Sequence, residues 1–135
     1  MKYDEFIEQV QKRANLVSQS EAERATRATL ETLAERLSEK ERLDAASQLP
    51  KGLAWYLRQP FIGPGKQPAP SPTRNFSLDE FFQRVSIRED VPLATAREHA
   101  RAVMSVLSDA LSKGEFEDIR AQLPIEYYYE FFEGK

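Results

Sequence analysis

The sequence predicts an all-α protein of about eight helices, arranged as two pseudo-symmetric four-helix repeats that share one core. Three observations carry this. Apolar residues recur at helical spacing through most of the chain. Ser-x-x-Glu pairs, the signature of a capping box at a helix start, stand at Ser18/Glu21, Ser38/Glu41, Ser77/Glu80 and Ser112/Glu115. The two halves of the chain also align with each other across a proline-rich stretch.

The first helix is expected over Tyr3–Ala14, with Phe6, Ile7, Val10 and Ala14 on one face and Asp4 and Glu5 in the first turn, where carboxylates favour the helix dipole. Ser18 opens a second helix to about Leu37, with the stripe Ala22, Thr26, Thr29, Leu30, Leu33 and Leu37. Ser38 starts a third, which ends near Gln48 because Pro50 disfavours helical geometry at the residue before it. Pro50 opens a fourth, carrying Leu53, Ala54, Trp55, Tyr56 and Leu57, and Pro60 stops it. The segment from Pro60 to about Asn75 holds alternating prolines and reads as extended, polyproline-like linker. Ser77 then opens a helix with Phe81, Phe82 and Val85. A sixth starts near Pro92 and runs to about Leu111 with Ala96, Ala100, Val103, Met104 and Leu107. A seventh with Phe116, Ile119 and Leu123 ends at Pro124, and the last reads IEYYYEFFEG.

The internal alignment is specific. Asp4-Glu5-Phe6-Ile7 and Val10 match Asp79-Glu80-Phe81-Phe82 and Val85 at a shift of 75. Ala25–Ser38 matches His99–Ser112 at a shift of 74, as do Asp44 with Asp118 and Gln48-Leu49-Pro50 with Gln122-Leu123-Pro124. Repeat one therefore spans 1–58, the linker 59–75 and repeat two 76–135. Halves of about 58 residues would each be marginal alone, so one domain over 1–135 with a shared core is expected, the second and sixth helices forming its central pair.

Composition narrows the function classes. The net charge of −3 supplies no basic excess to neutralise phosphates, so no nucleic-acid partner is expected. Cysteine is absent, which removes disulfides, thiolate metal sites and cysteine nucleophiles. No apolar run approaches the roughly 18 residues of a bilayer span, so no membrane insertion is expected. Asp4, Glu5 and Glu8 stand where a secretory signal needs an apolar run, so none is expected and the reading is cytoplasmic.

Candidate chemistry is sparse. His99 is the sole histidine, and its place mid-helix between Glu98 and the Arg101 turn reads as a flank position rather than part of a triad. Glu115, Glu117 and Asp118 read as carboxylates at a helix start, not as a metal site, and no cofactor is expected. Gly63-Pro64-Gly65 lacks the strand and Gly-Lys-Ser/Thr of a phosphate loop. The aromatics are the exception. Trp55 and Tyr56 end repeat one, and Tyr127, Tyr128, Tyr129, Phe131 and Phe132 end repeat two. A helix turns about 100° per residue, so these last five cannot all face one core. They read either as packing against Phe61 and the linker prolines or as a surface for a partner or a second copy, with Trp55, Tyr56, Tyr127, Tyr128, Tyr129 and Phe132 the candidates.

Four segments carry a resemblance: YDEF near the start, EAERATRATLETLAERLS (Glu21–Ser38), FSLDEFFQRV (Phe76–Val85) and GEFEDIRAQLP (Gly114–Pro124). They resemble the bacterial family catalogued as domain of unknown function 2267, over nearly the whole chain outside the linker. The corresponding part of repeat one, KERLDAASQLP, is looser and lacks the Gly and Phe. The resemblance implies an all-helical, soluble bacterial protein and brings no assigned activity or catalytic residue. The reading of the whole is a non-catalytic protein-interaction or regulatory helical module. The alternative is a small apolar-ligand binder with a groove between the repeats, which would require an internal cavity lined by residues such as Phe82, Met104 and Leu107. An enzyme ranks behind both and would need a cleft containing clustered, desolvated carboxylates around His99 or Asp118.

Overall fold

The structure is a computed structural model that describes residues 1–58 and 76–131, with the backbone alone at 61–62 and 67–68. Eight helices are present among these residues: α1 (Tyr3–Arg13), α2 (Gln19–Arg36), α3 (Glu39–Ser47), α4 (Lys51–Arg58), α5 (Leu78–Glu89), α6 (Leu93–Ala110), α7 (Lys113–Gln122) and α8 (Ile125–Phe131). The class is all-α. Most of 59–75 lies outside the described residues, and with it the polyproline expectation and the packing of Phe61. Within it, Phe61–Ile62 and Gln67–Pro68 pair antiparallel, Phe61 opposite Pro68, a two-residue ladder that the proline pattern does not announce.

The helix starts follow from the serines. Ser18, Ser38, Ser77 and Ser112 each hold their side-chain oxygen toward the backbone N–H three residues on, which donates at 3.1, 3.2, 3.1 and 3.2 Å. The first helix has no such serine. Its Lys2 N–H instead donates to the Glu5 carboxylate at 3.1 Å. Two helix ends use left-handed residues, Asn15 (φ 57°) after α1 and Asp90 (φ 61°) after α5. Asn and Asp reach that conformation more readily than bulkier side chains. They stand 75 positions apart in the sequence.

The long helices α2 and α6 touch each other, and α1 and α5 each pack against both. Each first helix thereby bridges the two halves. Small residues on α2 (Ala22, Ala25, Ala28, Thr26, Thr29) permit the close approach. One hydrophobic cluster draws on all eight helices: Phe6, Leu30, Leu33, Leu53 and Leu57 from the first half, and Phe81, Met104, Leu107, Ile119, Tyr127 and Phe131 from the second. Each such side chain contributes about 1.5–3 kcal/mol on burial.

Ion pairs cross between the halves at matched positions. Arg13 on α1 donates to Ser105 Oγ and Asp109 on α6, each at 2.8 Å. Arg88 on α5 donates to Thr32 Oγ1 on α2 at 2.6 Å and pairs with Glu35 at 2.5 Å. Arg84 reaches the same Glu35 at 2.6 Å. Arg13 and Arg88 differ by 75, and Asp109 and Glu35 by 74. The second set is buried, and burial pulls the Arg88 guanidinium below its ordinary range against the pull of Glu35 and Glu31.

Candidate functional site

The aromatic candidates separate by helix phase. Taken from Ile125, Tyr128 and Tyr129 return to the same side of α8, whereas Tyr127 and Phe131 point the other way. Tyr127 is fully buried. Its hydroxyl donates to the Phe76 and Ser77 carbonyls at 3.0 and 3.1 Å, and its ring meets Phe81 edge-on at 5.6 Å. Burial pushes its hydroxyl up to about 12. Tyr127 is thus a core residue and leaves the candidate surface. Its hydroxyl closes the start of α5.

Tyr129 is 56% exposed and Ile125 69%. Tyr128 is half-buried between them, with the Arg120 guanidinium 4.8 Å from its ring centroid and the Tyr129 ring at 5.5 Å. Two shallow grooves meet at Tyr128 and Arg120. One runs past Leu111, Lys113 and Phe116, the other past Leu123, Ile125 and Tyr129. On α4, Trp55 is as exposed as Tyr129, its counterpart 74 positions on. Tyr56 is half-buried under Arg27, 5.7 Å from its ring. Phe132 lies outside the described residues. Phe82, Met104 and Leu107, named for an apolar cavity, are packed in the core, and the described grooves are lined by other residues.

His99 is not a flank residue. It is buried, because α5 packs across this face of α6 and brings Glu89 to its Nδ1 at 2.5 Å. The Glu89 hydrogen bond, working against burial, raises the imidazole above its ordinary value. Arg24 on α2 donates to the Glu89 carbonyl at 2.5 Å, so three helices converge at this point.

A second polar cluster joins α3 to α7. The Ser38 N–H donates to Gln122 Oε1 at 2.9 Å, and Gln122 Nε2 donates to Ser38 Oγ at 3.1 Å. The reciprocal pair repeats this: the Ser112 N–H donates to Gln48 Oε1 at 2.8 Å and Gln48 Nε2 to Ser112 Oγ at 3.2 Å. Each serine therefore keeps the first half of its capping box, while a glutamine of the other half of the chain takes the bond that the glutamate would have made. The displaced carboxylates of Glu41 and Glu115 are buried and turn toward each other, with Asp118 beside them. One oxygen from each of the three lies within 4.8 Å of the others. Burial first, then the Glu41 hydrogen bond and the charges of Glu41, Asp44 and Asp118, push the Glu115 carboxyl up to about 7.

Sequence reasoning placed Glu115, Glu117 and Asp118 at a helix start; Glu115 is in the first turn of α7, Asp118 lies in mid-helix, and the meeting of Glu115 and Asp118 with Glu41 was missed. The signal was present: the shift of 74 that pairs Ser38 with Ser112 and Gln48 with Gln122 also pairs Glu41 with Glu115.

Eight helices around one core, with no helix among the described residues long and apolar enough to cross a membrane, define an all-α helical protein. The chain belongs to the family described as "Uncharacterized conserved protein (DUF2267)", whose model matches residues 3–129. No curated protein matches the chain.

Proposed function

We propose that this chain is a non-catalytic protein-interaction module of the bacterial cytoplasm, and that its docking face is the α7–α8 surface around Tyr128. The observation that carries the reading is the exposure of Ile125 and Tyr129 on either side of a Tyr128 ring stacked by Arg120. Tyr and Arg are enriched where interfaces hold their energy, and the apolar rims of the two grooves suit a segment with aliphatic or aromatic anchors. Lys113 and Arg120 line these grooves, so the partner segment carries an acidic residue beside its anchors.

We further read residues 1–58 and 76–135 as two repeats of one domain related by a pseudo-two-fold axis. The Ser–Gln pairs, the arginine contacts and the left-handed residues that recur at shifts of 74 and 75 support this.

The test is photo-crosslinking in cells from a reactive aromatic placed at position 129, with position 87, also exposed, as control. The expected result is a discrete adduct from position 129 that an Arg120→Glu substitution abolishes while the fold persists. An adduct at twice 15.5 kDa would assign the face to a second copy. Equal labelling from both positions would contradict a docking face at α8.

A further inference from the structure

We propose that Glu41, Glu115 and Asp118 form a binding site for a hard divalent cation that ties α3 to α7, independent of the docking face on α8. The three oxygens lie within 4.8 Å of one another. That spacing is bridged by a cation about 2.3–2.6 Å from each, the usual distance for calcium and oxygen ligands.

A separate observation points to a ligand. Oε2 of Glu41 and Oε2 of Glu115 are buried, on residues more than nine-tenths removed from solvent, and no donor of the backbone or of another side chain reaches them; a proton shared between the two carboxyls is the one bond open to them. Buried carboxylate oxygens are costly unless something positive answers them. Elsewhere in the molecule something does: Glu35 meets Arg84 and Arg88, and Glu89 meets His99. Among the described residues no basic side chain forms an ion pair with Glu41, Glu115 or Asp118. Lys40, the nearby cation, is exposed and engaged with Asp44 at 3.0 Å. The carboxylates cannot turn back onto their own helix starts either, since Gln122 and Gln48 hold the Ser38 and Ser112 N–H groups.

An all-carboxylate donor set selects cations of the calcium, magnesium and manganese class over zinc or copper. Asp118 is exposed, which opens the site to solvent, so water completes the coordination. Two of the three ligands come from α7 and one from α3, so an ion here closes the contact between the two halves of the chain.

The experiment is thermal unfolding of the full chain, stripped with a chelator and then given calcium, magnesium or manganese chloride alone. At a concentration near 100 times the dissociation constant, at least one of these raises the melting temperature by about 5–10 °C. Glu115→Gln removes one of the crowded charges. It melts at or above the metal-free wild type and shows no cation shift. Glu98→Gln, an exposed change of equal charge on α6, keeps the shift. Asp118→Asn, also exposed, reduces it and serves as the readout if Glu115→Gln does not fold. The proposal is overturned by no shift with any of the three at about 10 mM, or by an equal shift in Glu115→Gln. It is also overturned if acidification alone stabilises the protein and no cation does, which would mean that the carboxyls share only a proton.

Discussion

Replacing Gln122 by alanine removes two hydrogen bonds between the halves of the chain. The Ser38 N–H loses its acceptor at 2.9 Å, and the Ser38 hydroxyl loses its donor at 3.1 Å. The hydroxyl still accepts from the Glu41 N–H, so α3 keeps its cap. The N–H is partly buried and gains no replacement. Each lost bond costs about 0.5–1.5 kcal/mol, so the substitution costs about 1–3 kcal/mol. With a urea slope of about 1–3 kcal/mol per molar, the midpoint falls by about 1 M while the slope is unchanged. Gln48→Ala makes the matching loss at Ser112 and is expected to cost a similar amount. Both side chains serve one contact between α3 and α7, so the double substitution costs less than the sum once that contact has opened. Equilibrium urea unfolding by circular dichroism measures all three. A Gln122→Ala midpoint indistinguishable from wild type would refute the reasoning, because it would mean that water replaces both bonds without loss.

Two further outcomes follow from the buried charges. Arg88→Ala leaves Glu35 with Arg84 alone and Thr32 without its donor, and is expected to cost about 3–5 kcal/mol; Arg88→Met, which keeps the packing, costs less, and thermal melts of the two variants side by side check the order. His99 has its pKa raised by Glu89, so the pair stabilises the protein fully below the ordinary imidazole value near 6.5 and loses that contribution as pH rises through the folded value. The melting temperature of wild type relative to Glu89→Gln is therefore expected to fall as pH rises above the ordinary imidazole value; a flat difference would mean that the imidazole never charges in the folded protein.

Much of the fold is legible because its signals are local. Four serines mark helix starts, Pro50 and Pro124 mark ends, and the Phe6–Val10 and Phe81–Val85 stripes set the buried faces. The site is less legible because competing partners act at long range. Nothing near Glu41 or Glu115 announces that their capping bonds are taken by Gln122 and Gln48, more than sixty residues away. His99 looks like a flank residue until α5 folds over it and supplies Glu89. The run of aromatics at the C-terminal end hides its own phase, since neighbouring rings are alike. The internal alignment resolves it: Tyr127 and Phe131 fall opposite Leu53 and Leu57, which are buried, and Tyr129 opposite Trp55, which is exposed.

The central claim is that two repeats close on each other around one core, and the most direct test is to separate them. Residues 1–58, produced alone, are examined by circular dichroism and sedimentation. In the whole chain, α2 buries its stripe against α5 and α6 of the other half. The account therefore predicts that the fragment is largely unfolded or associates with itself. A stable, helical monomer with a cooperative melt would contradict it.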